Sequence, residues 1–230
     1  MNEQGQALVK ICGLQDDATV RALRGLPIDM VGFMFVASSR RKVSPQQARA
    51  LVAALRDRGG EPSPLAVGVF MNPTMEELRA AVEEASLDAV QMHGGESPEF
   101  CGEVKEHLGM ALYKVVSVGS ASDGNPDTAV ASALDAYRDV VDAILLDTYD
   151  ANVGGGTGRT FSWDRIPAYL AWTRAHGKKL IIAGGLTVDN VRELVDRYQP
   201  DGVDVSSGVE TDGIKDISKI ASFVERVKHA

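Results

Sequence analysis

Two residues of this chain place proton-transfer side chains at the ends of apolar runs. Cys12 closes Leu8-Val9-Lys10-Ile11-Cys12 and Asp147 closes Ala143-Ile144-Leu145-Leu146-Asp147. Both runs have the length and composition of short buried strands. A strand alternates its faces, so Lys10 and Cys12 share one side while Val9 and Ile11 share the other. A lysine beside a thiol on an inward face is poor packing unless the two are used, and a nearby cation favours thiolate. The commonest fate of a free cysteine is packing, which is the role expected for Cys101 inside Phe100-Cys101-Gly102-Glu103-Val104. Helix capping is a weak reading of Asp147, because Thr148 and a long loop follow. General acid or base work is the stronger one.

Other residues suit ligand binding. Ala183-Gly184-Gly185-Leu186 and Asp204-Val205-Ser206-Ser207-Gly208-Val209 follow two neighbouring apolar runs. Glycines there let backbone N–H groups approach an anion, and a short helix beginning near Ser207 would present its N-terminus to a phosphate. Without a ligand they are two tight turns. Gln91 and His93 are two residues apart and reach into one space, with ligand contact expected of both. Arg41 precedes the helix start at Ser44-Pro45 and can reach the same face. The loop Gly154-Gly155-Gly156-Thr157-Gly158-Arg159-Thr160 lacks the Gly-Lys-Ser/Thr ending of a P-loop and the spacing of a dinucleotide fingerprint. A lid over a substrate, carrying Gly156 and Gly158, fits it better.

Positioning these residues requires alternating elements. Strands are expected at 7–12, 29–35, 65–70, 88–92, 111–116, 143–147, 179–183 and 202–205. Helices are expected near 16–25, 44–58, 75–86, 97–108, 126–139, 163–175, 187–198 and 216–228. Ser44-Pro45, Asn72-Pro73-Thr74, Ser97-Pro98 and Asn125-Pro126 are helix-start signals. The spacing averages about 29 residues per βα unit, and strict alternation requires a parallel sheet. Eight units suit an α/β barrel, with a doubly wound open sheet as the alternative. In a barrel the chemistry-bearing residues fall at the strand ends that form the active face.

The 230 residues fit one domain, 1–230, with residues 1–6 a frayed polar extension. The net charge of −8 and the lack of long basic runs argue against a nucleic-acid surface, so local donors must hold an anionic substrate. Two cysteines without metal-ligand spacing, no apolar signal segment and no run long enough to span a bilayer read as a cytoplasmic protein with reduced thiols.

Val9-Lys10-Ile11-Cys12-Gly13, Gln91-Met92-His93-Gly94, Leu145-Leu146-Asp147-Thr148, Gly155-Gly156-Thr157-Gly158, Ala183-Gly184-Gly185-Leu186 and Val203-Asp204-Val205-Ser206-Ser207-Gly208-Val209-Glu210 together resemble phosphoribosylanthranilate isomerase, in that family's order. The segment from Gly32 to Pro45 is similar to the family's second unit, with Lys42 where tyrosine is frequent. Aligning on Ser44-Pro45 favours Arg41 over Arg40 as the substrate arginine. The resemblance implies a (βα)8 barrel that converts N-(5-phosphoribosyl)anthranilate to 1-(2-carboxyphenylamino)-1-deoxyribulose 5-phosphate in tryptophan biosynthesis. It implies Asp147 as general acid, Cys12 as general base, Arg41 on the anthranilate carboxylate and the late glycine loops on the phosphate. It implies no metal or organic cofactor, and a monomer or homodimer.

Alternatives are a histidine-pathway sugar-phosphate isomerase, disfavoured by cysteine at position 12 and the lack of a half-barrel repeat, and a non-catalytic phosphate-binding barrel. In a closed barrel the first strand borders the eighth. Lys10 and Asp204 are therefore expected to form a buried pair beneath Cys12, an expectation that fails if Lys10 points into the helix layer.

Overall fold

A computed structural model describes residues 5–57, 62–117, 126–147 and 163–229, with no side-chain detail for 126–129. The apolar runs form β1 (Leu8–Cys12), β2 (Met30–Met34), β3 (Leu65–Phe70), β4 (Ala89–Met92), β5 (Ala111–Ser117), β6 (Ala143–Asp147), β7 (Lys179–Ala183) and β8 (Gly202–Val205). All neighbours are parallel and β8 pairs back onto β1, which closes the barrel and removes the open-sheet alternative. Between and after them run α1 (Asp17–Ala22), α2 (Pro45–Arg56), α3 (Met75–Ala85), α4 (Pro98–Leu108), α5 (Pro126–Leu134), α6 (Ile166–Ala175), α7 (Val191–Tyr198) and α8 (Ile217–Lys228). Each lies within or close to its expected segment. The start signals act as capping requires: Ser44, Thr74 and Ser97 each accept a backbone N–H three residues on. The Asn125-Pro126 signal begins outside the described residues.

One element is not expected from the apolar pattern. β9 (Glu210–Thr211) and β10 (Ile214–Lys215) form an antiparallel hairpin between β8 and α8. Asp212 and Gly213 turn it with φ of 52° and 81°, the left-handed geometry that an Asp-Gly pair supplies in short hairpins.

The strand periodicity separates two cores. Val9, Ile11, Val31 and Phe33 pack outward against the helices, while Met30, Val67, Ala89, Tyr113, Ala143, Leu145 and Ile181 fill the barrel. Lys10 and Cys12 lie on the inward side, as the alternation requires.

The opposite end of the barrel carries a device repeated every two strands. Asp29, Asp88, Asp142 and Asp201 each stand one residue before an even-numbered strand. Their carboxylates accept backbone N–H groups near the start of the preceding odd strand: Val9 at 2.7 Å, Ala66 at 2.7 Å, Leu112 at 2.9 Å and Leu180 at 2.9 Å. Asp29, Asp88 and Asp142 also return their own N–H to that same residue's carbonyl. The bond satisfies a strand-start donor that would otherwise be stranded. Lys228, Arg56 and Lys105 pair with three of these carboxylates.

This end is remote from the active face, so its loss acts on stability alone. Asp88→Ala should lower the unfolding free energy by about 1–3 kcal/mol, the cost of an orphaned buried donor. Urea denaturation should show a lower midpoint, while turnover stays within about two-fold of wild type. An unchanged midpoint would contradict this role.

Candidate active site

Strand pairing brings the proposed chemistry together. In the β1–β8 register Lys10 lies opposite Asp204, and in the β1–β2 register Cys12 lies opposite Gly32. Lys10 has 0% of its surface exposed, and its Nζ is 3.1 Å from Asp204 Oδ1. The contact is a buried ion pair. Burial pulls the Lys10 ammonium down, but Asp204 and Cys12 outweigh it and the net shift is upward. Lys10 is therefore a fixed cation beneath the thiol. Gly32 makes the space, since a Cβ there would fall 2.6 Å from Cys12 Sγ and 3.1 Å from Lys10 Nζ.

The thiol departs from the sequence expectation. Burial pushes Cys12 up, the Lys10 charge pulls it down and Asp204 pushes it up again, with a net rise. The cation is present as expected, but desolvation of a thiolate at the barrel mouth outweighs it. Cys101 is fully buried against the barrel, and burial pushes it up to about 11, consistent with packing.

One cavity at the C-terminal ends of the strands is lined by Cys12, Arg41, Gln91, His93, Asp147, Gly184, Gly185, Asp204, Ser206, Ser207 and Gly208. Gly156 and Gly158, with the rest of the glycine-rich loop, lie outside the described residues. Asp147 sits at the tip of β6 with 21% side-chain exposure, and its Oδ2 is 3.5 Å from His93 Nε2. Gln91 is buried, and its Oε1 accepts no hydrogen bond among the described residues. Gln91 lines the cavity.

The two glycine loops lie against each other. A Cβ on Gly208 would overlap the Leu186 carbonyl, so glycine is required for the loops to meet. Ser207–Val209 forms the short helical turn expected near Ser207. Ser207 and Gly208 of this turn line the cavity together with Gly184 and Gly185.

Arg41 crosses over Gly13 at the mouth of the cavity. A Cβ there would fall 2.5 Å from Arg41 Cδ, and Gly13 has a φ of +83°. Arg41 lines the cavity, whereas Arg40 does not and is 59% exposed at its side chain.

Sequence reasoning missed two supporting clusters. Glu96 accepts from the N–H groups of Asn72 and Gly94, and Lys114 binds both Glu96 and the Gly94 carbonyl, which secures the turn after His93. Glu210 and Lys215, on the unexpected hairpin, form the second, around Arg41. The signal that could have found them is the Asp212-Gly213 turn pair flanked by Glu210 and Lys215.

Comparison with known proteins adds to this geometry. A family model described as N-(5'-phosphoribosyl)anthranilate (PRA) isomerase matches residues 9–226. An N-(5'-phosphoribosyl)anthranilate isomerase of Brevibacillus brevis is 46% identical over 220 residues, covering 96% of this chain and 93% of the relative. Among solved structures, phosphoribosyl anthranilate isomerase from Thermotoga maritima superimposes with a TM-score of 0.78 at 35% identity, covering 97% of this chain and all of that one. Another, at TM-score 0.74 and 33% identity with the same coverage, is a phosphoribosyl anthranilate isomerase in complex with reduced 1-(o-carboxyphenylamino)-1-deoxyribulose 5-phosphate.

The balance at Cys12 has a measurable consequence. Its alkylation by iodoacetamide should rise with pH through a midpoint above the ordinary thiol value of about 8.5. The check is the rate of mass addition at Cys12 against pH. A plateau already reached near neutrality would contradict a thiol dominated by burial.

Proposed function

This chain belongs to the phosphoribosylanthranilate isomerase family, and on that premise we propose that its cavity performs the Amadori rearrangement with Cys12 as base and Asp147 as acid. The observation that carries the assignment is their convergence in one cavity that Arg41 and the paired glycine loops also line. The substrate has a matching form: a carboxylate at one end, a phosphate at the other and the reacting ribose carbons between.

Asp147 donates its proton to the ribose ring oxygen as the C1–O bond breaks, and the nitrogen lone pair completes a C1=N Schiff base. Cys12 as thiolate removes the proton from C2. The C2–H electrons form the C1–C2 double bond and neutralise the nitrogen. The resulting enolamine takes a proton at C1 and loses one from the C2 hydroxyl, leaving the aminoketone. His93 lies beside Asp147 and orients its carboxyl group. Gln91 Oε1 and Asp204 accept ribose hydroxyls, and Asp204 also pairs with Lys10.

The Cys12 proton must leave before C2 is attacked. Lys10 lowers that cost by stabilising the thiolate from beneath, where no counterion from solvent reaches it. Gly184, Gly185, Ser206, Ser207 and Gly208 hold the phosphate, while Arg41 pairs with the anthranilate carboxylate through its planar fork. Residues 1–230 act as one barrel domain.

Steady-state turnover of phosphoribosylanthranilate tests these roles. Cys12→Ala and Asp147→Asn should each lower kcat by about 10²–10⁴-fold with little change in KM. Arg41→Ala should instead raise KM by about 10–100-fold, as loss of a charged hydrogen-bond pair does. Full activity in both acid–base variants would refute their assignment. Tight binding without turnover in the wild type would favour a binding barrel.

A further inference from the structure

The hairpin after β8 holds two buried charges that the reaction itself does not use. Glu210 has 5% side-chain exposure and accepts two hydrogen bonds from Arg41, Nε at 2.7 Å and Nη2 at 2.9 Å. Arg40 reaches the same carboxylate from the exposed side. Lys215, opposite Glu210 in the β9–β10 register, donates to Glu210 Oε1 at 2.8 Å. The same ammonium donates to the Ser206 carbonyl at 2.8 Å, and Ser206 Oγ donates to the Cys12 carbonyl at 3.1 Å.

Burial alone would push the Glu210 carboxyl up, but the bonds and charges of Arg41 and Lys215 hold it at about 2. It is therefore a permanent anion at neutral pH. Three cations converge on this one carboxylate, so the cluster stays positive overall. Arg41 has five N–H donors in a rigid plane. Glu210 occupies the Nε–Nη2 edge, which fixes the plane and directs the Nη1–Nη2 edge elsewhere.

We propose that Glu210 is a positioning residue that sets the Arg41 guanidinium for the ring carboxylate of the substrate, with Lys215 locking Glu210 to the phosphate-side loop. The hairpin thus fixes the distance between the two anion-binding ends and sets selectivity for an ortho-carboxylated aryl group. Its backbone supports this: Lys219 donates to the Glu210 carbonyl, and Thr211 Oγ1 bonds Asp216, the N-cap of α8. An arginine held only by solvent would lose side-chain freedom on each binding event, a cost the pre-set bidentate pair removes. The inference rests on the isomerase reading above.

The test uses equilibrium binding of two reduced product analogues to the intact protein. One is reduced 1-(2-carboxyphenylamino)-1-deoxyribulose 5-phosphate, and the other is its phenylamino counterpart without the carboxyl group. Glu210→Gln should weaken the carboxylated ligand by about 10-fold or more and change the other by less than about three-fold. In an Arg41→Ala background the same substitution should have no further effect, because Glu210 acts through Arg41. If Glu210→Gln lowers the melting temperature below the assay temperature, Glu210→Asp, which retains charge but shortens the reach, is read by the same ratio. Equal loss on both ligands, an undiminished effect without Arg41, or tighter binding of the carboxylated ligand would overturn the proposal. Wild-type protein with no preference for the carboxylated ligand would instead overturn the substrate assignment itself.

Discussion

Burying a lysine ammonium away from water costs several kcal/mol unless a charge and hydrogen-bond acceptors compensate it. Lys10 is such a lysine, and its compensation comes from a strand nearly two hundred residues later in the chain. Only barrel closure brings β1 and β8 into register, so only closure sets Asp204 beside Lys10. An open sheet lacking the β1–β8 pairing would leave Lys10 without this counterion. Such pairs contribute little net stability, because apolar replacements of similar volume often do as well. What an apolar replacement cannot supply is a fixed positive charge under Cys12. On the proposed role of Cys12 the pair serves the chemistry more than the core, and Gly32 leaves the room that Cys12 and Lys10 occupy.

Anion binding in this chain is local. A net charge of −8 gives no long-range attraction for a substrate carrying a phosphate and a carboxylate. The proposed answer is backbone donors in the two glycine loops and a cation cluster at Arg41. The hairpin connects the two, since Lys215 touches both Glu210 and Ser206. At the opposite end the repeated aspartates satisfy strand-start donors, which separates the stability face from the reactive one.

Much of this architecture is legible in the sequence, because period-2 apolar runs and proline-marked helix starts encode each unit locally. Parity alone places Lys10 and Cys12 inward, and chain order with closure predicts the Lys10–Asp204 pair. The aspartates at 29, 88, 142 and 201 were equally visible, each one residue before an even strand, yet single residues carry no periodic signal in an 11-residue window. The Asp212-Gly213 turn was readable too, but strands of two residues fall below any apolar pattern. The sign at Cys12 was not readable. It depends on the difference between desolvation and the Lys10 field, two opposing quantities that only three-dimensional packing fixes. Glu96 and Lys114 were hidden for a related reason, since a buried ion pair looks like two surface charges until the fold brings it together.

The central claim is that Cys12 and Asp147 flank the reacting carbons of a ligand stretched from Arg41 to the glycine loops. A crystal structure of this protein with the reduced product analogue tests it most directly. The account predicts Cys12 Sγ near C2 at a near-attack distance of about 3–3.5 Å, Asp147 on the far side of the ribose, the carboxylate on Arg41, and the phosphate on Gly185 and Gly208. A ligand bound in the reverse sense, with phosphate on Arg41, or one that leaves C2 out of reach of Cys12, would contradict it.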